Sequence, residues 1–213
     1  MAYYKNRSMA NRGQPFEELL RFANGRYMKK KVAVVSKQAT EFIPIRDTRG
    51  KVSGVKVEQK ATVDFQGRYK QYPIAIEAKH SSGQMIRFDA VQQHQADYMD
   101  AFTEEPGTIG LVVISFELKR YFVIPWVFWQ AAYNARVRPG ASRTARVTVE
   151  AFGQSWDVPL KNSVRADELN PLWEIPNHDL TYGLHYLKDA AHYVTPPMQH
   201  TKPTTGCKME EET

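Results

Sequence analysis

Ile74-Ala75-Ile76-Glu77-Ala78-Lys79 decides the fold and points to the chemistry. In an extended strand successive side chains face opposite ways, so Ile74, Ile76 and Ala78 share the core face. Glu77 and Lys79 then stand together on the other. Upstream, Ala61–Phe65 reads as a strand that folds back onto Tyr72–Lys79 through Gln66-Gly67-Arg68. That turn sets Asp64 beside Glu77 and Lys79, at one end of a hairpin. Downstream, Ile109–Phe116 is almost continuously apolar, the mark of a buried central strand, with Arg120–Ile124 as its hairpin partner.

Helical patterns flank these strands. Pro15 opens a first helix whose apolar stripe is Phe16, Leu19, Leu20, Ala23 and Tyr27, closed by Lys29, Lys30 and Lys31. Met85–Thr103 reads as a second amphipathic helix. Pro125-Trp126 starts a third, running to Arg136, whose Trp126, Phe128, Trp129 and Tyr133 are better suited to packing a core than to stacking bases. Val147–Phe152 and Trp156–Leu160 suggest a further hairpin. A last helix capped by Asn177 or Asp179 is expected to reach Tyr193, with Leu180, Leu184, Leu187 and Ala191 on its apolar face and His178, His185 and His192 on its wet one. Thr195–Thr213 reads as a disordered tail. The expected architecture is a mixed α/β domain over residues 1–194, in which 128–194 form a C-terminal extension.

Ser36–Lys60 is poor in large apolar residues. It carries Lys37, Arg46, Arg49, Lys51, Lys56 and Lys60 against Glu41, Asp47 and Glu58. It reads as a protruding hairpin or long loop, and long connections of this kind in compact domains are usually functional or disordered. The whole chain has 213 residues, with 29 basic against 23 acidic side chains, a net +6 that favours a polyanionic partner. One cysteine, Cys207, leaves no intrachain disulfide or cysteine-built zinc site and suits a reducing cytoplasm. No apolar run is long enough to span a membrane, and the polar, basic Met1–Gly13 does not read as a secretory leader. No phosphate-binding glycine loop implies a nucleotide cofactor.

Two carboxylates with open positions suit Mg²⁺, which retains waters and takes phosphate oxygens. Such an ion lowers the pKa of a bound water, and Lys79 can hold that water or the charge growing on a phosphate. The competing interpretation, a solvated Glu/Lys pair on a sheet face, is the commoner fate of such residues. On a helical wheel Gln95 falls inside the apolar face of Phe88, Val91, Met99 and Phe102, where a leucine would fit by volume. Its amide needs either a backbone partner or a place at the metal. Glu17, at the edge of the first helix's buried stripe, is a further candidate acid, although an acid at a helix N-terminus needs no other reason.

Phe16-Glu17-Glu18, Asp64-Phe65-x-Gly67-x-Tyr69, Glu77-Ala78-Lys79 and His94-Gln95-x-x-x-Met99 together resemble the RecU-type Holliday junction resolvases of the PD-(D/E)xK nuclease superfamily. The resemblance covers about Gly13–Val127. It implies a restriction-endonuclease-like mixed sheet flanked by helices, with Ser36–Lys60 as a basic stalk. It implies Asp64, Glu77 and Gln95 as Mg²⁺ ligands (Mn²⁺ substituting) and Lys79 as catalytic lysine. Thr62 is a candidate for a threonine that the family carries beside its aspartate, with Val63 intervening here. Arg46, Arg49, Lys51, Lys56, Lys60, Arg68, Lys70 and His80 become candidate DNA contacts. The family acts as a homodimer on four-way DNA in recombination and repair. The alternatives are another nuclease of the superfamily, specific for flaps, ends or a sequence, and a non-catalytic DNA-binding protein on the same fold. Phe128–Thr213 departs from any pattern that the family supplies.

Overall fold

A computed structural model describes residues 13–39, 41–59, 61–135, 145–176 and 179–196. Helix α1 (Gln14–Lys29) leads into β1 (Ala33–Lys37), followed by a hairpin of β2 (Glu41–Arg46) and β3 (Val52–Gln59). Strands β4 (Phe65–Tyr69) and β5 (Tyr72–Ser81) return to the main sheet. Short β6 (Met85–Arg87), helix α2 (Gln93–Glu104), β7 (Ile109–Phe116), β8 (Arg120–Pro125) and α3 (Trp126–Ala135) complete its scaffold. Then come β9 (Arg146–Ala151), β10 (Gln154–Pro159), β11 (Ser163–Arg165) and β12 (Glu174–Ile175).

Six strands form one mixed sheet in the order β1-β4-β5-β7-β8-β12. Only β5 and β7 run parallel, because α2 carries the chain back between them; the other neighbours in this sheet are antiparallel. Every residue of β7 is buried, as its unbroken apolar run requires. The sheet is covered on both faces. On one, Ile74, Ile76, Leu111 and Val113 pack with Phe16, Leu20 and Tyr27 of α1 and with Leu184, Tyr186 and Leu187 near the C-terminus. On the other, Ala75, Val112 and Ile114 pack with Met99 of α2, Trp129 of α3, and Trp156 and Trp173. Trp126, Phe128, Trp129 and Tyr133 are all buried, so the aromatic cluster is core.

Several expectations need correction. Gln66–Arg68 is not a turn: it lies inside β4, and the chain reverses at Lys70, which takes a positive φ of 54°. Gly67 serves a close approach instead, since a Cβ there would come within 1.9 Å of the Val34 carbonyl oxygen on β1. The second helix starts at Gln93, not Met85. Met85–Arg87 pairs with β11, and a 3-10 turn at Phe88–Ala90 intervenes, so Phe88 and Val91 are buried without sharing a helix face with Gln95.

The expected last helix is absent from 179–196. Asp179 bridges Gly183, which has φ 77°, and the Asp179 carboxylate accepts the amides of Thr181 and Tyr182. This local closure outcompetes helical bonding and leaves only a 3-10 turn at Ala190–Tyr193. Leu180, assigned to an apolar face, is fully exposed, while His185 faces Tyr27, with Nδ1 3.0 Å from the phenol oxygen. Thr195 is tied to the body through its amide, 2.9 Å from the Thr108 oxygen. Asn177, His178, Arg136 and the rest of the expected tail, with Cys207, lie outside the described residues.

Candidate active site

Strand β5 places Glu77 on the face toward α2, where its side chain is completely buried. Beside it, β4 begins only at Phe65, paired with Ile76, so Asp64 sits in the bend just before the strand, opposite Glu77. The Asp64 Oδ2 accepts the Ala78 amide at 2.9 Å, which fixes the carboxylate against β5. Lys79, two residues along from Glu77, brings Nζ to 2.5 Å from Glu77 Oε1. The strand alternation read from sequence therefore places Glu77 and Lys79 together, with Asp64 alongside. The pair is not a solvated one: Glu77 is buried and the Lys79 side chain retains 18% of its exposure.

Helix α2 completes the cluster. Gln95 Nε2 donates to Glu77 Oε1 at 2.7 Å, and its Oε1 accepts from Lys79 Nζ at 3.2 Å. The same Oε1 accepts the Gln92 amide at 2.9 Å, so Gln95 is also the third residue of a capping box. One amide thus ties the start of α2 to the acid and the ammonium of β5. Sequence reasoning missed Gln92, because a glutamine at the N-cap lacks the short side chain by which such boxes are recognised.

Burial dominates the electrostatics. Desolvation raises the Asp64 carboxyl above its usual range, against the Ala78 amide and Lys79, which lower it. Glu77 is pushed up to about 8, by burial first and also by the neighbouring Asp64 charge, with Lys79 opposing. Glu77 Oε2 is buried and has no hydrogen-bond partner among the described residues. A buried acceptor without a donor is costly, and two adjacent acids disfavouring each other's charge make a site that a cation would relieve. The residues present therefore fit a divalent ion held by Asp64 and Glu77. Gln95 now offers its amide nitrogen to Glu77, and its oxygen is shared by Lys79 and a backbone amide. Among the described residues no three His, Cys, Asp or Glu side chains form a ready cage.

The other candidates are dispersed. Glu17 on α1 pairs with Lys37 and lies close enough for its charge to raise the Asp64 carboxyl. Thr62 accepts from Gln66 Nε2 at 3.1 Å. Arg68 and Lys70 are exposed at the far end of β4 from Asp64, Lys70 lying 5.4 Å over the Tyr69 ring. His80 is half-buried on the α1 side, 3.3 Å from the Ser115 hydroxyl, and burial lowers its pKa. Arg46, Arg49 and Lys51 lie on the β2–β3 hairpin, as does the Lys56 position; Lys60 lies outside the described residues.

Comparison with known proteins follows the same lines. The family profile Recombination protein U (RecU) matches residues 11–170. A Holliday junction resolvase RecU of Streptococcus sanguinis (strain SK36) is 26% identical over 124 residues, covering 55% of this chain and 62% of that protein. One from Streptococcus mutans serotype c is 28% identical over 127 residues, or 57% and 64%. The chain thus spans a little under two thirds of these two relatives. A third, from Staphylococcus aureus (strain MRSA252), is 23% identical over 179 residues and covers 79% of this chain and 83% of that protein. The solved structure of Archaeoglobus fulgidus Hjc, a Holliday junction resolvase, overlaps only slightly, with a TM-score of 0.32 at 12% identity over 52% of this chain and 75% of that one. With most of its length matched by the profile, from the first helix through the paired acids to β11, the chain belongs to the Recombination protein U family.

Proposed function

We propose that the protein is a Mg²⁺-dependent endonuclease that resolves four-way DNA junctions by phosphodiester hydrolysis, acting as a homodimer. The observation that carries this reading is the buried oxygen of Glu77 beside Asp64, without a partner among the described residues, with Lys79 as the adjoining cation. Asp64 and Glu77 would hold the ion. When bound, a divalent cation polarises the phosphoryl oxygen and acidifies an attacking water. Lys79, partly open like Asp64, is placed to receive the nucleophile or the charge growing on the phosphate. The Ala78 amide keeps Asp64 turned toward β5, and Gln95 keeps Glu77 and Lys79 in register. An inert DNA-binding protein has no use for a charge buried at such cost.

The basic β2–β3 hairpin is assigned to the branch. Arg49 lies in its turn and Lys51 just after it, and phosphate contacts there position DNA without reading sequence. Two opposed strands need two active sites and this chain carries one, so a closed twofold dimer is the economical assembly. No helix among the described residues is long and apolar enough to cross a membrane, and a single cysteine suits the cytoplasm.

The test is incubation with a synthetic four-way junction and a matched duplex in Mg²⁺, Mn²⁺ or EDTA, with sedimentation of the free and bound protein. Paired nicks in the junction with either metal, none in EDTA, and a bound dimer are expected. Metal-independent cutting, equal cutting of duplex, or a monomer on the junction would refute the corresponding part.

A further inference from the structure

Lys29, Lys30 and Lys31 close α1, while Arg68 lies near the end of β4 and Lys70 in the turn after it. The antiparallel pairing of β1 with β4 brings the two groups together. Val34 lies opposite Arg68, Ala33 opposite Tyr69, and the Lys70 amide donates to the Val32 carbonyl. All five cations are exposed, and among the described residues none of them forms an ion pair. The fold asks for some of this charge and not the rest. Lys29 and Lys30 suit the negative end of the helix dipole. Lys31 and Lys70 sit at φ 57° and 54°, in the left-handed region, where a side chain costs energy that glycine or asparagine avoids. The Tyr69 ring beneath Lys70 accounts for neither Lys31 nor Arg68. Backbone outliers that local preference does not explain are where a function is to be sought.

A strip of open sheet leads from the acids to these cations. Register places Ser36, Gln66 and Ala75 side by side on one face, with Val34, Arg68 and Pro73 one step further from the site. This is the face of Glu77 and Lys79, which follow Ala75 along β5 at alternate positions. Helices α2 and α3 cover β5, β7 and β8 there, but no residue of β1 or β4 belongs to that core. Val34, Ser36, Arg68 and Pro73 are exposed, Val34 to 51%.

We infer that the five cations hold the sugar-phosphate backbone of the duplex arm that leads away from the cut, with the open face of β1 and β4 beneath that arm. Along the strand, Arg68 lies about 13 Å from Asp64 and Lys70 about 20 Å, at roughly 3.3 Å per residue. B-form DNA rises about 3.4 Å per base pair, so the contacts fall roughly four to six base pairs from the scissile phosphate. Unpaired positive charge selects a polyanion. The open strip that joins the patch to Asp64 and Glu77 selects the polyanion on which those acids act. The β2–β3 hairpin leaves β1 at its other end, after Lys37, so the two basic surfaces grip different parts of the substrate. The inference rests on the nuclease reading above and adds the course of the substrate's arm.

Lys31→Asn/Lys70→Asn removes two charges and suits the left-handed backbone, so it should melt at or above the wild-type temperature. Binding of the full chain to a four-way junction is followed in EDTA by fluorescence anisotropy over a range of salt. The asparagine pair should bind about tenfold more weakly at low salt, and its plot of log affinity against log salt should be flatter by about two. Arg68→Gln, which touches no turn, should flatten the plot by about one. Lys188→Asn, an exposed cation near the C-terminus, controls for net charge and should bind as wild type does. Wild-type cutting in Mg²⁺ then maps the scissile phosphates. Junctions are made with neutral methylphosphonates about four to six nucleotides to the 5′ or the 3′ side of them. On one of these two sets, wild type and the asparagine pair should converge in affinity. An asparagine pair with wild-type affinity and salt slope overturns the inference. So does a deficit undiminished on both methylphosphonate sets, which would put the patch on other phosphates, and so does an equal loss from Lys188→Asn. Wild-type protein that binds the junction but cuts nothing in Mg²⁺ would instead sink the nuclease reading, while the salt slopes would still decide the patch.

Discussion

Glu77→Gln should change the stability of the metal-free protein in opposite ways to its function. The substitution keeps the shape of the side chain and removes its charge. In the native protein Glu77 is pushed up to about 8 by burial, assisted by Asp64. Its unfolded value is near 4.5. A group raised in the folded state contributes stability that is complete below the unfolded value and is lost as pH climbs through the folded one. The wild type without metal should therefore weaken steadily between about pH 4.5 and pH 8. The full shift corresponds to a ceiling of roughly 5 kcal/mol, and the closeness of Lys79 and Asp64 makes a few kcal/mol the sensible expectation. The glutamine variant has no proton to lose there. Part of its gain is offset because Lys79 loses its partner. In EDTA its melting temperature should stand level with wild type at pH 5 and several degrees above it at pH 8.5. Added Mg²⁺ should reverse the order, because binding to the native state stabilises only a protein that can hold the ion. Scanning calorimetry across pH, in EDTA and in Mg²⁺, reads both effects. A variant that follows wild type at pH 8.5 in EDTA, or that gains as much from Mg²⁺, would refute the account of Glu77 as a buried charge kept for a cation.

Asp64→Asn should abolish junction cleavage while leaving gel-shift affinity equal to or above wild type, since phosphate contacts lie elsewhere; cutting at close to the native rate would remove Asp64 from the site. Lys79→Met should lower single-turnover cleavage by roughly 10²–10³-fold, the scale of one lost polar catalytic contact, and also lower metal-free stability at neutral pH, because Lys79 is the cation beside Glu77. Gln95→Leu should destabilise by about 1–3 kcal/mol, through the freed Gln92 amide and the loss of a donor to Glu77; a neutral or stabilised variant in urea melts would return Gln95 to ordinary core. Ending the chain after Ile175 should yield no cooperative melt by circular dichroism, because Leu184, Tyr186, Leu187 and Tyr193 cover Phe16, Leu20 and Tyr27; a two-state transition near that of the full chain would show the covering segment dispensable.

How much of this was legible in the sequence varies with the range of the interaction. Strand alternation is local and strict, so the separation of Ile74, Ile76 and Ala78 from Glu77 and Lys79 follows from residue order alone. The burial of β7 follows from composition, and the helix of Gln14–Lys29 from its stripe and Pro15. Boundaries failed where a partner far along the chain intervened. Met85–Arg87 has helical apolar spacing but finds β11 nearly eighty positions later, and pairing with it displaces the first turns of the expected helix. Gly67 looks like a turn residue until β1 is laid against it. The 179–196 stretch has a helical pattern in Leu184, Leu187 and Ala191, yet Asp179 and Gly183 close a local turn that the pattern cannot foresee.

The same distinction explains the site. Its acids were legible as members of one hairpin, but the expected turn had the wrong register: a reversal at Gln66–Arg68 would set Asp64 against residues around Lys70–Pro73, and it is the reversal at Lys70 that brings Asp64 opposite Glu77. Gln95 was found for an incomplete reason. The wheel put it in an apolar face, which suggested a buried amide in want of partners, but two of the residues defining that face are not on the helix at all. What holds Gln95 inward is polar. One carbonyl oxygen serves the helix cap and Lys79, and one amide nitrogen serves Glu77. The helix cannot begin where it does without the amide that orients the acid, so the start of α2 and the geometry of Glu77 are a single constraint. That coupling predicts that a substitution restoring the cap without restoring the donor, Gln95→Glu, should keep α2 intact yet place a second acid against Glu77. Its metal-free melting temperature should fall as pH rises above the carboxylate range, and Mg²⁺ should recover more of it than in wild type. A Gln95→Glu protein whose melting is independent of both would break the link between cap and site.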